Sequence, residues 1–203
     1  MPRSVFRWVV FLFLAAVTVG GGPSPALSAG GPPAEGGVLP EIRLPIPHRP
    51  QEKTYLGLQG EGDFTILQTR ARIVILEVFS MYCPFCQKEA PVVNELFRAI
   101  DGDPELREKI KIIGIGAGNS IYEVNAFRDL YRITFPLFPD VNYSLHKSLG
   151  GVGTPYFIAV QLNAGGGHKV IYSKVGSFGE PKQFLDLLLK KSEKAVRPPK
   201  KGV

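Results

Sequence analysis

Ser80-Met81-Tyr82-Cys83-Pro84-Phe85-Cys86-Gln87-Lys88-Glu89-Ala90-Pro91 holds the only two cysteines of the chain. Ahead of it, Arg72-Ile73-Val74-Ile75-Leu76-Glu77-Val78-Phe79 is rich in β-branched and aromatic residues and reads as a buried strand. Behind it, Gln87 to Ile100 places Ala90, Val93, Leu96, Phe97 and Ile100 at helical spacing. The cysteine pair is therefore expected at the tip of a strand, where a helix begins.

That placement has chemical consequences. A helix N-terminus carries partial positive charge and unpaired N–H groups, which stabilise a thiolate. Cys83, nearer the helix start, is expected to have a depressed pKa and to act as nucleophile. Pro84 suits the first helical turn, where its missing N–H costs nothing. Cys86, one turn on, is within reach to form a disulfide with Cys83 and to resolve a mixed disulfide. The spacing makes a reversible two-electron switch. A purely structural disulfide is disfavoured, because closing so short a loop removes little entropy from the unfolded chain. Zinc needs about four ligands, and His48, His146 and His168 are scattered singly with no second cysteine pair. No metal and no cofactor is expected. Inert core cysteines do not suit a strand-to-helix tip.

The formal charge of +6 is concentrated at the ends: Arg3 and Arg7 near the start, and Lys190, Lys191, Lys194, Arg197, Lys200 and Lys201 near the finish. Residues 30–189 carry 16 basic against 17 acidic residues, a net of −1. The body has no basic face with interleaved aromatics, so nucleic-acid binding is excluded as a reading. The tail reads as a solvated basic end, with contact to an anionic membrane surface secondary.

Arg3 and Arg7 precede the apolar run Trp8 to Val19, and a small-residue exit follows through Ser28 and Ala29. These are the marks of a secretory signal peptide over residues 1–29; an uncleaved anchor is the less favoured reading, because the run is short of the ~20 residues that span a bilayer. Export to the periplasm or another extracytoplasmic space makes dithiol chemistry meaningful, with the protein soluble after cleavage. Residues 30–54 are dense in proline and glycine and read as a flexible linker. The folded unit is expected over residues 55–191, and residues 192–203 as the basic tail.

Within that unit Phe64-Thr65-Ile66-Leu67 reads as a first strand, and Asp101-Gly102-Asp103-Pro104 as a break. Pro91 is expected to kink its helix rather than end it. Ile110 to Ile115 reads as a strand, Ile121 to Tyr131 as a helix, Phe135 to Pro139 as extended, and Tyr143 to Leu149 as a short helix. Gly114 to Ser120 superficially resembles a dinucleotide loop, but it lacks the full glycine pattern and reads as a tight turn. Tyr156 to Leu162 and Val170 to Val175 form a hairpin through a glycine-rich turn. Pro181 opens the last helix, with Phe184, Leu185, Leu188 and Leu189 as its buried stripe. This order indicates an α/β fold with a mixed central β-sheet flanked by helices, preceded by an N-terminal extension.

The order strand, C-x-x-C helix, strand, helix, Thr-Pro, hairpin, helix resembles the thioredoxin fold. More narrowly it resembles the exported TlpA/ResA-like thiol-disulfide oxidoreductases. The residues that carry the likeness are Cys83-Pro84-Phe85-Cys86 with Glu89-Ala90-Pro91, Thr134-Phe135-Pro136 with Asp140, and Gly153-Thr154-Pro155. The likeness spans roughly Tyr55 to Lys191. It implies that Pro155 is a cis-proline facing the cysteines, which keeps metal from the thiols. With the Thr154 backbone, Pro155 would pair with an extended substrate peptide, beside Tyr82, Pro84 and Phe85. It also implies that Glu77 is a buried acid beneath the site, taking the proton from Cys86 as that thiol attacks; the other reading is a glutamate facing water. Tyr82 stands where such proteins usually carry tryptophan, and Trp8 is the only tryptophan in the chain. The Pro84-Phe85 dipeptide matches neither thioredoxin nor the Glu-Pro of some relatives, so the direction of electron flow stays open.

The resemblance implies reduction of disulfides in exported proteins, apocytochromes c among them. The expected partners are cysteine-bearing client proteins and a membrane thiol donor of the DsbD-like or CcdA-like kind, with the protein itself monomeric. An oxidase or isomerase is the alternative enzyme, and a non-catalytic thioredoxin-fold binding module the alternative without chemistry. A peroxiredoxin-like peroxidase is disfavoured, since Val78-Phe79-Ser80 stands where the P-x-x-x-T-x-x lead to a peroxidatic cysteine is expected.

Overall fold

A computed structural model describes residues 30–196; the signal-peptide reading of residues 1–29 and the end of the basic tail lie outside the described residues. In chain order the elements are β1 (Arg43–Pro45), α1 (Pro50–Leu56), β2 (Asp63–Thr65), β3 (Ile73–Phe79), α2 (Pro84–Asp101), α3 (Pro104–Lys109) and β4 (Ile110–Ala117). They continue as α4 (Ile121–Tyr131), β5 (Leu137–Asp140), α5 (Ser144–Ser148), β6 (Tyr156–Leu162), β7 (His168–Val175) and α6 (Pro181–Val196). Among the described residues no helix is long and apolar enough to cross a membrane.

The main sheet has the order β5-β4-β3-β6-β7. The strands β3, β4 and β5 are parallel neighbours, whereas β6 pairs antiparallel with both β3 and β7. β3 is central and buried at every position, as its unbroken apolar run requires of a strand covered on both faces. Alternation sends Ile73, Ile75 and Phe79 to one face and Val74, Leu76 and Val78 to the other. The first face is covered by α2, α4 and α6 through Val93, Leu96, Phe127, Phe184 and Leu188. Right-handed crossovers along β3-α2-β4-α4-β5 place α2 and α4 on that same side. Helix α2 runs without a break through Pro91.

The second face corrects the expectation of a flexible linker over residues 30–54. Leu39, Ile42 and Leu44 are buried against Val74, Leu76 and Val160. The backbone is tied as well: Gly36 N–H donates to Val170 O at 2.8 Å, and Val170 N–H donates to Gly37 O at 2.9 Å. Glu35 pairs with Lys191 of α6. The folded unit therefore starts well before Tyr55. Prolines and glycines here shape an irregular path whose few apolar side chains follow no helical or strand period, so periodicity alone misses it.

Other boundaries differ in smaller ways. The strand expected at Phe64 to Leu67 is β2, which pairs with β1 in a separate two-stranded sheet. The chain then turns through a 3₁₀ segment at Ile66–Gln68. The break expected after Asp101 contains α3, whose start is capped by the Asp103 carboxylate accepting from the N–H groups of Glu105 and Leu106. Helix α6 continues past Lys191 to Val196, with Ser192 buried, so the tail begins later than residue 192. The glycine run is mostly strand: Gly114 lies in β4, where a Cβ would come within 2.3 Å of Leu137 Cδ2.

If the N-terminal segment is core, Leu44→Ala costs about 2–5 kcal/mol, the range for truncating a buried leucine, read from urea denaturation. A cost under ~0.5 kcal/mol, as for a surface site, would restore the linker.

Candidate active site

Cys83 is the N-cap of α2, with extended backbone at φ −83° and ψ 114°, and Pro84 opens the first turn. The N–H of Cys83 donates to Ser80 O at 3.1 Å, and its own carbonyl accepts from Gln87 N at 3.0 Å. The loop is thus fixed as the helix begins. Both cysteines are free thiols, Cys83 partly exposed and Cys86 fully buried.

The two thiols sit in opposite electrostatic settings. Burial pushes Cys83 up, but hydrogen bonds from Thr154, from the Cys86 backbone and thiol, and from the Phe85 N–H outweigh it and leave the thiol below its ordinary value. Burial pushes Cys86 up to about 12, while hydrogen bonding from the Ser80 backbone only partly opposes it. In dithiol chemistry a partly exposed thiol of lowered pKa suits attack, and a buried thiol of raised pKa suits the later, resolving step.

Thr154 and Pro155 face this pair. The Thr154–Pro155 peptide bond is cis, and the Cys83 thiol donates to Thr154 O at 3.3 Å. Pro155 is buried and Thr154 half-buried. Phe85, Lys88, Glu89, Thr154, Pro155 and Val175 border a groove of about 470 Å³ beside the cysteines. The Glu89 carboxylate is buried and accepts from Ser177 Oγ at 3.0 Å and Phe178 N at 3.3 Å. It anchors the far wall of the groove.

Glu77 is 1% exposed, so the solvent-facing reading does not hold. Alternation puts it on the helix-covered face with Ile75 and Phe79, the face that also receives Cys86. Its register partners are Gly114 and Phe157. Its Oε1 has no hydrogen-bond partner. Burial, with a smaller contribution from Glu89, raises its pKa to about 8. An acid with that value exchanges protons near neutrality.

Asn119, Gln87 and Glu123 were not expected at the site. Asn119 is fully buried, and its Oδ1 accepts from Met81 N at 2.9 Å. The Gln87 amide donates to Met81 O at 2.8 Å. The Tyr82 hydroxyl donates to the Glu123 carboxylate, which also accepts from Ser120 N at 2.6 Å. The loop before Cys83 is therefore held at both backbone polar groups of Met81 and at the Tyr82 side chain. Ser120-x-x-Glu123 is a capping box at the start of α4, legible in the sequence as a helix start, though not as a support for the cysteine loop. Two of the scattered histidines have other duties: His146 Nε2 meets Val152 O at 2.7 Å, and His168 Nε2 accepts from Leu39 N at 3.1 Å. The structure thus gathers Cys83, Cys86, Thr154, Pro155, Pro84, Phe85 and Tyr82 at one end of the sheet, with Glu77 buried beneath.

Comparison with known proteins agrees with this geometry. The chain is 29% identical over 119 residues to the thiol-disulfide oxidoreductase ResA of Bacillus thuringiensis subsp. konkukian (strain 97-27), a stretch covering 58% of this chain. It spans 62% of the length of that relative, and the ResA of Bacillus cereus (strain ATCC 10987 / NRS 248) matches equally. Among solved structures, a candidate protein disulfide isomerase from Bacteroides thetaiotaomicron superposes with a TM-score of 0.61 at 17% identity, covering 81% of this chain and 93% of that one. A candidate thiol:disulfide interchange protein DsbE from Chlorobium tepidum gives a TM-score of 0.59 at 16% identity, over 79% of this chain and 99% of that one. These likenesses bear out the thioredoxin-like fold. A model of the AhpC/TSA family matches residues 42–172, more than half of the sequence, and the chain belongs to that family.

Proposed function

We propose that this protein is a thiol-disulfide oxidoreductase that reduces disulfides of exported proteins in the periplasm, using Cys83 as nucleophile and Cys86 as resolving thiol. The observation that carries the reading is the divergence of the two thiols, Cys83 lowered and partly exposed, Cys86 raised and buried. The Cys83 thiolate attacks one sulfur of a client disulfide; that S–S bond breaks, and the first client sulfur leaves and takes a proton from solvent. Cys86 then loses its proton to the Glu77 carboxylate as it attacks Cys83 Sγ. The Cys83–client bond breaks, the second client thiol departs carrying that proton, and Cys83–Cys86 becomes the disulfide. The client gains two electrons and the protein loses two. A membrane dithiol donor of the DsbD-like or CcdA-like kind returns them, and apocytochromes c are the client class that the likeness to ResA suggests.

Cys86→Ser is expected to form a stable mixed disulfide through Cys83 and to lose turnover of insulin disulfides, with wild-type protein active. An inert wild-type protein together with no trapped adduct would leave a binding module in place of an enzyme. A reduction potential near thioredoxin's roughly −270 mV supports the reductase, and one near about −120 mV the oxidase.

Glu77 supplies the pH dependence. Its basic form is needed to receive the Cys86 proton, so the resolving step accelerates as pH rises towards about 8 and then levels. Glu77→Gln is expected to slow resolution by on the order of 100-fold or more and to remove that inflection in stopped-flow measurements. The same value bears on stability: relative to a carboxyl at 4.5, stability is fully present below pH 4.5 and lost as pH rises through about 8. Glu77→Gln should therefore gain urea resistance over wild type at pH 8 and less at pH 5. Equal gains at both pH values would contradict the raised pKa.

A further inference from the structure

Cations gather at the pole of the sheet remote from the cysteines. Register links Lys169 on β7 to Gln161 on β6, and Gln161 to Ile73, the first residue of β3. Lys169 therefore stands about 20 Å of extended strand from the Phe79 end that leads to Cys83. Helix α6 starts at the cysteine end, after β7, and its 16 residues run back ~24 Å, so its last turns reach the same pole. There Lys169, Lys191 and Lys194 border one shallow depression, with Glu35 as its one carboxylate. Ala195 joins that depression to a second cleft, bordered by Arg72. Arg72, Lys169, Lys190 and Lys194 are exposed, whereas Lys191 is half-buried and pairs with Glu35. On α6, Leu187, Lys190, Lys191 and Lys194 follow i, i+3, i+4, i+7 spacing and form a flank apart from the buried Phe184, Leu185 and Leu188. Lysines in a last helical turn offset the helix dipole, but that does not account for Lys169 and Arg72, which come from other elements. Like charges brought together repel unless a counter-charge meets them. The sequence beyond, Arg197-Pro198-Pro199-Lys200-Lys201, adds three cations, and no acidic residue follows Glu193.

We infer that this pole, Lys169 with the Lys190, Lys191 and Lys194 flank of α6, is a docking surface for a lipid bilayer with anionic headgroups. Charge complementarity supports that occupant. The depression is shallow and its cations are lysines, point charges that suit a diffuse negative plane better than the paired hydrogen bonds arginine makes to a single phosphate. Among the described residues no aromatic side chain borders it, so it offers no platform on which nucleic-acid bases could stack. Leu187, 39% exposed among the lysines, adds an apolar contact of the kind interfacial helices use. Docked there, the protein holds its cysteine end ~20 Å or more from the lipid, facing solution. The inference stands apart from the dithiol chemistry and concerns where the molecule is held.

The test uses the full chain and two kinds of vesicle, phosphatidylcholine alone and phosphatidylcholine mixed with phosphatidylglycerol. Each cation near an anionic surface is expected to contribute roughly five-fold to partitioning, so wild-type protein should favour the anionic vesicles by on the order of 100-fold at low salt. Added salt should erase that preference by screening. Lys169→Gln/Lys190→Gln/Lys194→Gln is expected to lose most of it, whereas Lys147→Gln/Lys174→Gln/Lys182→Gln, with the same charge removed elsewhere, keeps it. On the anionic vesicles, acylation of lysine amines read by mass spectrometry should spare Lys169, Lys190 and Lys194 relative to Lys174 and Lys182. Reaction of the reduced thiols with dithionitrobenzoate is expected to be unchanged in the first variant; slowing there would assign its lysines to the cysteine site and overturn the inference. It is also overturned if both variants lose the preference equally, since net charge rather than this surface would then be responsible, or if wild-type protein binds both vesicles alike. Tighter binding to duplex DNA than to anionic vesicles, abolished by the first variant, would give the surface to nucleic acid instead.

Discussion

The constraint on which the structure depends is the meeting of the α2 N-terminus with the Thr154–Pro155 loop at the end of a strand buried on both faces. Backbone N–H groups at a helix start favour negative charge, and the N-cap position of Cys83 puts sulfur where that field is strongest. In the loop opposite, the Thr154 carbonyl accepts from the protonated Cys83 thiol at 3.3 Å. One helical turn further in, the same burial that packs Cys86 suppresses its ionisation. A single piece of helix thus differentiates two chemically identical thiols.

The same packing explains the strained economy beneath the site. Glu77 occupies a strand position that apolar residues fill on either side, and one of its oxygens lacks a hydrogen-bond partner. Burying a carboxyl in this way is unfavourable unless it stays neutral, and its pKa near 8 reflects that. Gly114, its neighbour on β4, lets Leu137 and Phe79 pack close against the strand, where a Cβ would come within 2.3 Å of Leu137 Cδ2. The destabilisation is tolerated because β3 is central and its other side chains are fully packed.

Much of this was legible in the sequence for a physical reason. The strand before Cys83, the helix after it and the closing hairpin carry strong periodicity, and Cys83, Cys86 and Pro155 are identified by residue chemistry that few other arrangements use. Leu39, Ile42 and Leu44 were illegible because they bury through an irregular path shaped by long-range contacts to β7 and to the second face of the sheet. Asn119 and Gln87 escaped notice because an amide gives no local sign of which distant peptide it will bond; Met81 is 38 residues from Asn119. The burial of Glu77 was a choice between two readings until its face of the sheet was known.

The most direct measurement is a thiolate titration by ultraviolet absorbance on the reduced protein, with Cys83→Ser and Cys86→Ser assigning the two sulfurs. The account predicts that Cys83 ionises below the ordinary thiol value of 9.0 and that Cys86 stays protonated until about pH 12. Two sulfurs titrating together at the ordinary value would contradict it, since neither would then be set apart as nucleophile.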